Sequence, residues 1–211
     1  RGLGDVYKRQ GLIGELKKTK VLAFDTETDS LDFTQANLVG ISVATDEDNA
    51  YYIPVGHDHE GAPKQLDRDE VLKKLKPIIE KTPLIGQHLK FDRNVLANYD
   101  IHLNAIENDT MLMSYVYDPT ATRHNLDAMA SHYLNVKTTT FEDVAGKGVK
   151  QLTFNQIPLE KASDYAAEDA DITFRCYSHL KPALAKTPSL EKVLHEIELP
   201  LVPVLSDMEQ A

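Results

Sequence analysis

Three short runs at residues 21–24, 38–44 and 50–54 are rich in Val, Ile and Tyr, with turn-formers between them, first Asp29-Ser30 and then Asp46-Glu47-Asp48-Asn49. Runs of this length and composition read as strands, and the turn signals make them antiparallel neighbours in one sheet. The chain then changes period. Residues 67–81 place Val71, Leu72, Leu75, Ile78 and Ile79 at helical spacing, with acids first and lysines later, as the helix dipole favours, and with a kink expected at Pro77. Leu84-Ile85-Gly86 reads as a brief strand, and helices are expected near 90–99, 109–117 and 124–134. Residues 138–156 hold Gly146-Lys147-Gly148 and little periodicity, so a loop with at most a short helical piece is expected. Pro158 suits the first residue of a long helix running to about Leu184. A further helix starts near Ser189 and continues to Ala211, interrupted by Pro200 and Pro203. The whole is a mixed α/β pattern.

Composition narrows the function classes. With 211 residues, 42% hydrophobic, 10 Gly and 10 Pro, the chain reads as one globular domain and not as a stapled miniprotein, a collagen-like repeat or a disordered segment. No apolar stretch approaches the roughly 18 residues of a membrane span, so no membrane partner is expected. The single cysteine, Cys176, excludes an internal disulfide, and with no basic-then-apolar leader a cytoplasmic setting is expected. Against 33 Asp+Glu stand 23 Lys+Arg, a formal charge of −10 that repels polyanions and argues against a tight duplex binder. An enzyme that meets a nucleic acid at one end through bound cations stays open, because local ions invert the field. Residues 1–19 read as a tail or the remnant of a preceding domain, 20–207 as the main domain, and 208–211 as the start of a following region, one domain cut from a longer polypeptide.

The sharpest chemical signal is Asp25-Thr26-Glu27, directly after the first run. Side chains two apart on a strand share a face, so both carboxylates emerge together at the strand's end. Asp-x-Glu recurs at Asp58/Glu60 and Asp207/Glu209, but only the first copy follows a buried-strand pattern, and a solvated pair of turn acids is the competing reading. Tyr165 and Asp169 stand four apart on the helix after Pro158 and share a face with Ile172, Cys176 and Leu180. That puts an acid on the stripe that packs against the sheet, where a carboxylate is costly without a cation or donors. No Lys or Arg lies beside it on that stripe, so a metal ion is an economical partner; a core-edge tyrosine with an acid at the helix rim is the alternative. The transition Gly86-Gln87-His88-Leu89-Lys90-Phe91-Asp92 delivers Asp92 to the same end of the sheet. Asp25, Glu27, Asp92 and Asp169 then form an all-oxygen set suited to Mg²⁺ or Mn²⁺. Four acids can hold two such ions about 4 Å apart, clamping the attacking and leaving oxygens of phosphodiester hydrolysis.

VLAFDTETDSLD, GQHLKFDRNVLANY, TRHNLDAMA, FEDVAGKGVKQLTFNQI and YAAEDADIT, in that order, resemble the 3′→5′ proofreading exonuclease domain of bacterial DNA polymerase I (family A) over about residues 20–207. The resemblance implies a ribonuclease H-like fold, an α/β mixed sheet of three antiparallel strands then parallel strands, flanked by helices. It is of the Tyr-type DEDD class: Tyr165 matches that class, and Asp164 stands where His-type relatives carry His. The resemblance further implies that Asp25, Glu27 and Asp169 hold the catalytic ion, that Asp25 bridges to a second ion anchored by Asp92 partly through water, and that Tyr165 orients the attacking water. The ions would be Mg²⁺ or Mn²⁺, with Zn²⁺ admissible at one site. A phenol near its ordinary pKa of ~10 is a poor base at neutral pH, whereas a metal acidifies water by many units. Leu31 and Phe141 are implied at the terminal bases, and Gln87, His88, Lys90 and Arg123 around the strand, where wedging and stacking suit a sequence-tolerant reader of single strands. The implied activity releases nucleoside 5′-monophosphates from a single-stranded or frayed DNA 3′ end. The implied partner is a covalently linked polymerase domain, in the bacterial cytosol at the nucleoid.

His88 stands where that family usually has Asn; imidazole still donates one hydrogen bond but is bulkier and titratable. A ribonuclease D-like 3′→5′ exoribonuclease is an alternative, because the metal chemistry is indifferent to the sugar unless 2′-OH contacts exist. A catalytically silent fold bracing a polymerase is another, opposed by the complete acid set. His57-Asp58-His59-Glu60 offers zinc-ligand types, yet a polar loop between Gly56 and Gly61 without a fourth ligand nearby reads as surface. Cys176 reads as core packing, and Gly146-Lys147-Gly148, lacking Walker spacing, as a flexible basic loop.

Overall fold

The structure, a computed structural model, describes residues 6–211, the first five of them by backbone alone. Helix α1 (Val6–Lys18) leads into β1 (Leu22–Thr28), β2 (Leu38–Ala44) and β3 (Ala50–Pro54). Then come α2 (Arg68–Lys81), β4 (Leu84–Gly86), α3 (Leu89–Ala97), β5 (Ile106–Asp109), α4 (Thr110–Tyr117) and α5 (Leu126–Met129), the last continued by a π turn over Ala130–Leu134. The remainder is α6 (Phe141–Ala145), α7 (Leu159–Ala185), α8 (Pro188–Val193), a second π turn over Leu194–Glu198, and α9 (Leu199–Gln210).

The strands form one sheet in the order β3-β2-β1-β4-β5. β1 pairs antiparallel with β2 and β2 with β3, whereas β4 runs parallel to β1 and β5 parallel to β4. This is the expected ribonuclease H-like mixed sheet. All seven residues of β2 are buried, as a strand covered on both faces requires. Period-two alternation divides β1 between two cores. Leu22 and Phe24 join Leu12, Leu16 and the apolar face of α2, while Ala23 joins Met113, Ile172, Cys176 and Leu180 on the α7 side.

Several boundaries differ from the sequence reading. β1 does not stop at Phe24; β2 pairs with it as far as Thr28, so Asp25 and Glu27 lie inside the ladder and not beyond its end. β5 is only four residues long, with no period to betray it. Asp67 lies outside α2 as its cap, accepting a hydrogen bond from the Glu70 N–H at 3.0 Å. Pro158 caps α7 and does not begin it. Within the stretch read as a tail up to residue 19, Val6–Lys18 forms α1, whose Leu12 and Leu16 are buried in the core, so apolar burial ties that helix to the sheet; residues 1–5 lie outside the described residues. Among the described residues no helix is long and apolar enough to cross a membrane.

Candidate metal centre

Asp25 and Glu27 share the face of β1 that looks at α7, and α7 carries Asp169 one turn after Tyr165. One carboxylate oxygen from each of Asp25, Glu27 and Asp169 lies within 4.8 Å of the other two. None of the ion pairs among the described residues includes these three acids.

Their electrostatics follow from that crowding. Burial first, and then the Asp169 charge, push Asp25 up to about 7. Glu27 is held well above the usual carboxylate range by burial and by Asp25, Asp169 and Asp92. Burial, followed by Asp127 and Glu168, pushes Asp169 up to about 8, with the Tyr165 hydroxyl pulling it back down. Three like charges this close are stable together only with a cation or shared protons. The donor set fits a hard divalent ion on two counts: it is all oxygen, and Glu27 Oε1 is buried without a hydrogen-bond partner.

Asp92, buried in the first turn of α3, is not among the three acids whose oxygens meet within 4.8 Å; it lies beside them, close enough for its charge and that of Asp25 to act on each other. Its Oδ1 accepts from the Thr26 N–H at 3.0 Å and from Thr26 Oγ1 at 2.5 Å. Thr26 faces away from the cage and thus ties α3 to β1 between the two acids. The turn into α3 is set by Asp109, whose carboxylate accepts from the N–H groups of His88 (3.3 Å), Leu89 (2.8 Å) and Met111 (3.0 Å). Burial raises Asp109, and those backbone donors hold it down. Neither Thr26 nor Asp109 was singled out from sequence. Thr26 carries one usable signal, its place between two acids with its side chain on the opposite face.

Burial, then Asp169, Glu27 and Asp25, push the Tyr165 phenol far above its ordinary value. Its ring meets Phe141 edge-on at 6.1 Å between centroids and Phe154 at 6.2 Å, so Phe141 reaches the same site. The segment leading to Phe141 is tethered by two further acids that the sequence reading passed over. Glu168 Oε1 accepts from the Thr139 N–H at 2.7 Å, and Asp127 Oδ1 accepts from Thr138 Oγ1 at 2.6 Å.

Of the other strand-contact candidates, Gln87 and Lys90 are already engaged, and Leu31, His88 and Arg123 are exposed. Leu31 is 95% exposed. Gln87 donates to the His124 carbonyl at 2.8 Å and accepts from Thr110 Oγ1 at 2.5 Å. Lys90 is paired with Glu209 at 2.7 Å. The backbone of His88 is left-handed, φ 64°, a conformation in which Asn, Asp and His are the enriched side chains, so His is accommodated where Asn is usual.

The remaining acid motifs have structural roles. Asp207 pairs with Arg93 at 2.7 Å, and Glu209 binds Lys90 and Asn94, together docking α9 on α3. Asp58 accepts from Asn155 at 2.8 Å, and His59 Nε2 accepts from the Leu159 N–H. His57 differs from the surface expectation: it is buried against Tyr52. Cys176 is buried, as read, and burial pushes its thiol up to about 12.

A family profile described as 3′-5′ exonuclease matches residues 8–185. DNA polymerase I of Pseudomonas aeruginosa is 52% identical over 200 residues, covering 93% of this chain and 22% of that protein. The chain thus spans about a fifth of the length of such relatives. Among solved structures, the POL domain of Pol1 from M. smegmatis in complex with DNA primer-template and dNTP matches with a TM-score of 0.73 at 17% identity, over 99% of this chain and 32% of that one. Brucella melitensis NrnC with bound Mg²⁺ matches with a TM-score of 0.61 at 20% identity, over 91% and 86%. At those identities the two structures speak to the fold alone.

Proposed function

This chain belongs to the 3′-5′ exonuclease family, and from that premise we propose that it hydrolyses the 3′-terminal phosphodiester of DNA to release nucleoside 5′-monophosphates, using two divalent cations. The observation that carries the reading is the meeting of Asp25, Glu27 and Asp169 oxygens within 4.8 Å, free of ion pairs to basic side chains among the described residues. Asp25, Glu27 and Asp169 would hold one ion, and Asp25 with Asp92 would hold the second. When bound, such ions acidify the attacking water and stabilise the leaving oxygen. Mg²⁺ or Mn²⁺ is the proposed pair, and the Mg²⁺ carried by NrnC on a similar fold agrees with that choice.

The chain's own residues do the rest. Tyr165, a neutral phenol at any working pH, orients the attacking water by hydrogen bonding and does not remove its proton. Thr26 fixes the Asp92 carboxylate. Phe141, seated on Tyr165, stacks on a terminal base, and exposed Leu31 wedges beside it. Gln87, His88, Lys90 and Arg123 are proposed to line the path of the strand. We take residues 20–207 as the exonuclease unit, with α1 packed onto it and 208–211 leading into the polymerase region of the parent chain. Relatives named DNA polymerase I, and the exposed apolar residues Ile197, Leu201, Val204, Leu205 and Met208, support such a neighbour. The proposed setting is the bacterial cytosol, at the nucleoid, on a frayed or single-stranded 3′ end.

Incubating the chain with 5′-labelled single-stranded DNA and Mg²⁺ or Mn²⁺ tests this. The expected result is a ladder shortening from the 3′ end, lost in EDTA and at least ~10³-fold slower in Asp25→Ala, since a shared ligand supplies several kcal/mol to the transition state. A ladder that persists in EDTA or in that variant overturns the proposal. Degradation of RNA but not of DNA of equal sequence assigns the site to an exoribonuclease instead.

A further inference from the structure

The loop between α4 and α5 carries Arg123, which is exposed, and among the described residues no acid pairs with it. On a chain of net charge −10, an unpaired arginine is a cation kept available for an incoming anion. Its place in the fold follows from the residue after it. Gln87 Nε2 donates to the His124 carbonyl at 2.8 Å, which ties the loop to the junction of β4 and α3. β4 runs parallel to β1 with Ile85 level with Ala23, and a Cβ on Gly86 would stand 3.0 Å from the Phe24 carbonyl, so the two strands are still side by side there. Gln87 is therefore level with Asp25, on the neighbouring strand about 4.8 Å away. Arg123 springs from backbone one residue removed from that tie, at the end of the sheet where the acid cage sits.

His124 holds the loop in that posture from several sides. Its backbone is left-handed, φ 62°, a region that most side chains avoid and in which His is enriched. Its ring reaches back to the start of the loop, where Nε2 donates to the Pro119 carbonyl at 2.9 Å. On the other side Nδ1 lies 2.7 Å from the Ser114 hydroxyl of α4. Ser114 is fully buried, and its Oγ is also 2.9 Å from Tyr133 Oη in the π turn that continues α5. A hydroxyl can donate or accept, so the Ser114 contact persists whether or not Nδ1 carries a proton. One imidazole thus fastens the loop to the helix before it and to the turn after it. The Gln87 amide is fixed as well: while its Nε2 serves the His124 carbonyl, its Oε1 accepts from Thr110 Oγ1 at 2.5 Å. Both polar ends of Gln87 are spent inside the protein.

We propose that His124 is a positioning residue for the DNA strand: its ring and carbonyl clamp the α4–α5 loop against Ser114, Pro119 and Gln87, and so present the Arg123 guanidinium to a phosphate of the strand whose end enters the acid cage. The inference rests on the strand-path reading above, in which Arg123 meets the DNA. Gln87 then serves the strand through the loop it holds. The physical gain is preorganisation, because a loop ordered before the strand arrives loses less freedom on binding. The competing account is that His124 merely closes a surface loop. The two differ in what is lost with the ring: a phosphate contact and its salt dependence in the first case, folding stability alone in the second.

The test is hydrolysis of a 5′-labelled single-stranded DNA oligomer with Mg²⁺, read as KM and kcat over a salt series. Wild type is compared with Arg123→Ala, His124→Ala, Ser114→Ala and the Arg123→Ala/His124→Ala double variant, with circular dichroism melts to confirm folding. Arg123→Ala should raise KM about 10-fold, the loss of one hydrogen bond to a charged group, and should flatten the slope of log KM against log salt by about 0.7, one phosphate contact on a single strand. His124→Ala should raise KM about 5–10-fold with kcat within about twofold, flatten the salt slope in the same way, and add nothing further in the double variant. A KM within about twofold of wild type in folded His124→Ala overturns the inference, as does a raised KM with the salt slope unchanged, or effects that multiply in the double variant. Should His124→Ala fail to fold, the same readings on Ser114→Ala decide, because that variant keeps the imidazole and removes the hydroxyl that holds it. A wild-type chain that cleaves no DNA removes the exonuclease reading and this inference with it. Cleavage by wild type with KM unaltered in Arg123→Ala removes this inference and leaves the metal centre standing.

Discussion

Without a cation the acid cage should make the protein less stable as pH rises, the reverse of ordinary carboxylate behaviour. Asp25 and Asp169, at 3.8 in the reference state, titrate at about 7 and about 8 in the fold, the first raised by burial and Asp169, the second by burial, Asp127 and Glu168. Each binds a proton in the folded chain that the unfolded chain has already released, so stability is full below about 4 and is lost as pH climbs through the folded values. His57 works against this at lower pH. Burial holds it at about 4 against 6.5 unfolded, so folding gains stability as pH rises to 6.5 and nothing beyond. The clean window is therefore pH 6.5 to 8. There the loss is about 1.4 kcal/mol per extra proton per pH unit, which over this window comes to about 2 kcal/mol for the two acids together.

A domain stable by only ~5–15 kcal/mol registers such a change readily. Urea unfolding in EDTA, at pH 6.5, 7, 7.5 and 8, reads it as a falling midpoint at constant slope. Asp169→Asn should flatten the decline and raise stability at pH 8, because it deletes the charge that burial and Asp127 resist. Added Mn²⁺ should reverse the trend, since ionised ligands bind the cation better as pH rises. A midpoint that stays level or climbs from pH 6.5 to 8 in EDTA refutes the picture of acids pressed together without compensation.

Thr26→Val keeps a β-branched shape on the buried face of β1 and removes the hydroxyl that Asp92 accepts; turnover on single-stranded DNA should fall ~10-fold with KM nearly unchanged, and unaltered turnover would show that the tether is idle. Phe141→Ala should raise KM for single-stranded oligomers ~10-fold, since one base stacked on an aromatic ring is worth about 1–3 kcal/mol, with a smaller effect on kcat. Arg93→Ala removes the bonds to Ser206 and Asp207 that seat α9 on α3, and should lower unfolding free energy by about 2 kcal/mol in urea titrations, with no change expected in an α9 that was undocked to begin with.

Asp25, Glu27 and Asp169, the three acids that come together, were legible because each obeys a local rule. Asp25 and Glu27 follow from period two on a strand, and Asp169 follows from sitting on a helical stripe that Ile172, Cys176 and Leu180 bury. The hidden parts depend on pairings that no local pattern encodes. Thr26 meets Asp92 across 66 positions and Glu209 meets Lys90 across more than a hundred, so neither contact leaves a trace in a window of a dozen residues. β5 was invisible because four residues display no period, and His57 looked exposed because its loop is polar, although Tyr52 draws it inward. Gly40 could have been flagged: a glycine inside a strand marks a place where something else approaches the backbone, here the Tyr52 ring.

Lys90 is where the sequence reading and the structure pull apart most, and their difference has a physical resolution. Its ammonium is paired with Glu209, whose side chain is 40% exposed, against 27% for Lys90. Ion pairs that open to solvent are worth only about 0–1 kcal/mol, because water and salt already serve both charges. A phosphodiester arriving at the first turn of α3 offers the same ammonium an equal charge at small cost. Releasing Glu209 sacrifices little of the α9 docking, since Arg93 with Ser206 and Asp207, and Asn94 with Ser206, remain in place. On the proposed reading the pair would act as a shield, keeping the lysine neutralised on an acidic surface and yielding it to an arriving phosphodiester, so that a chain of net charge −10 could admit a strand end without attracting duplex elsewhere.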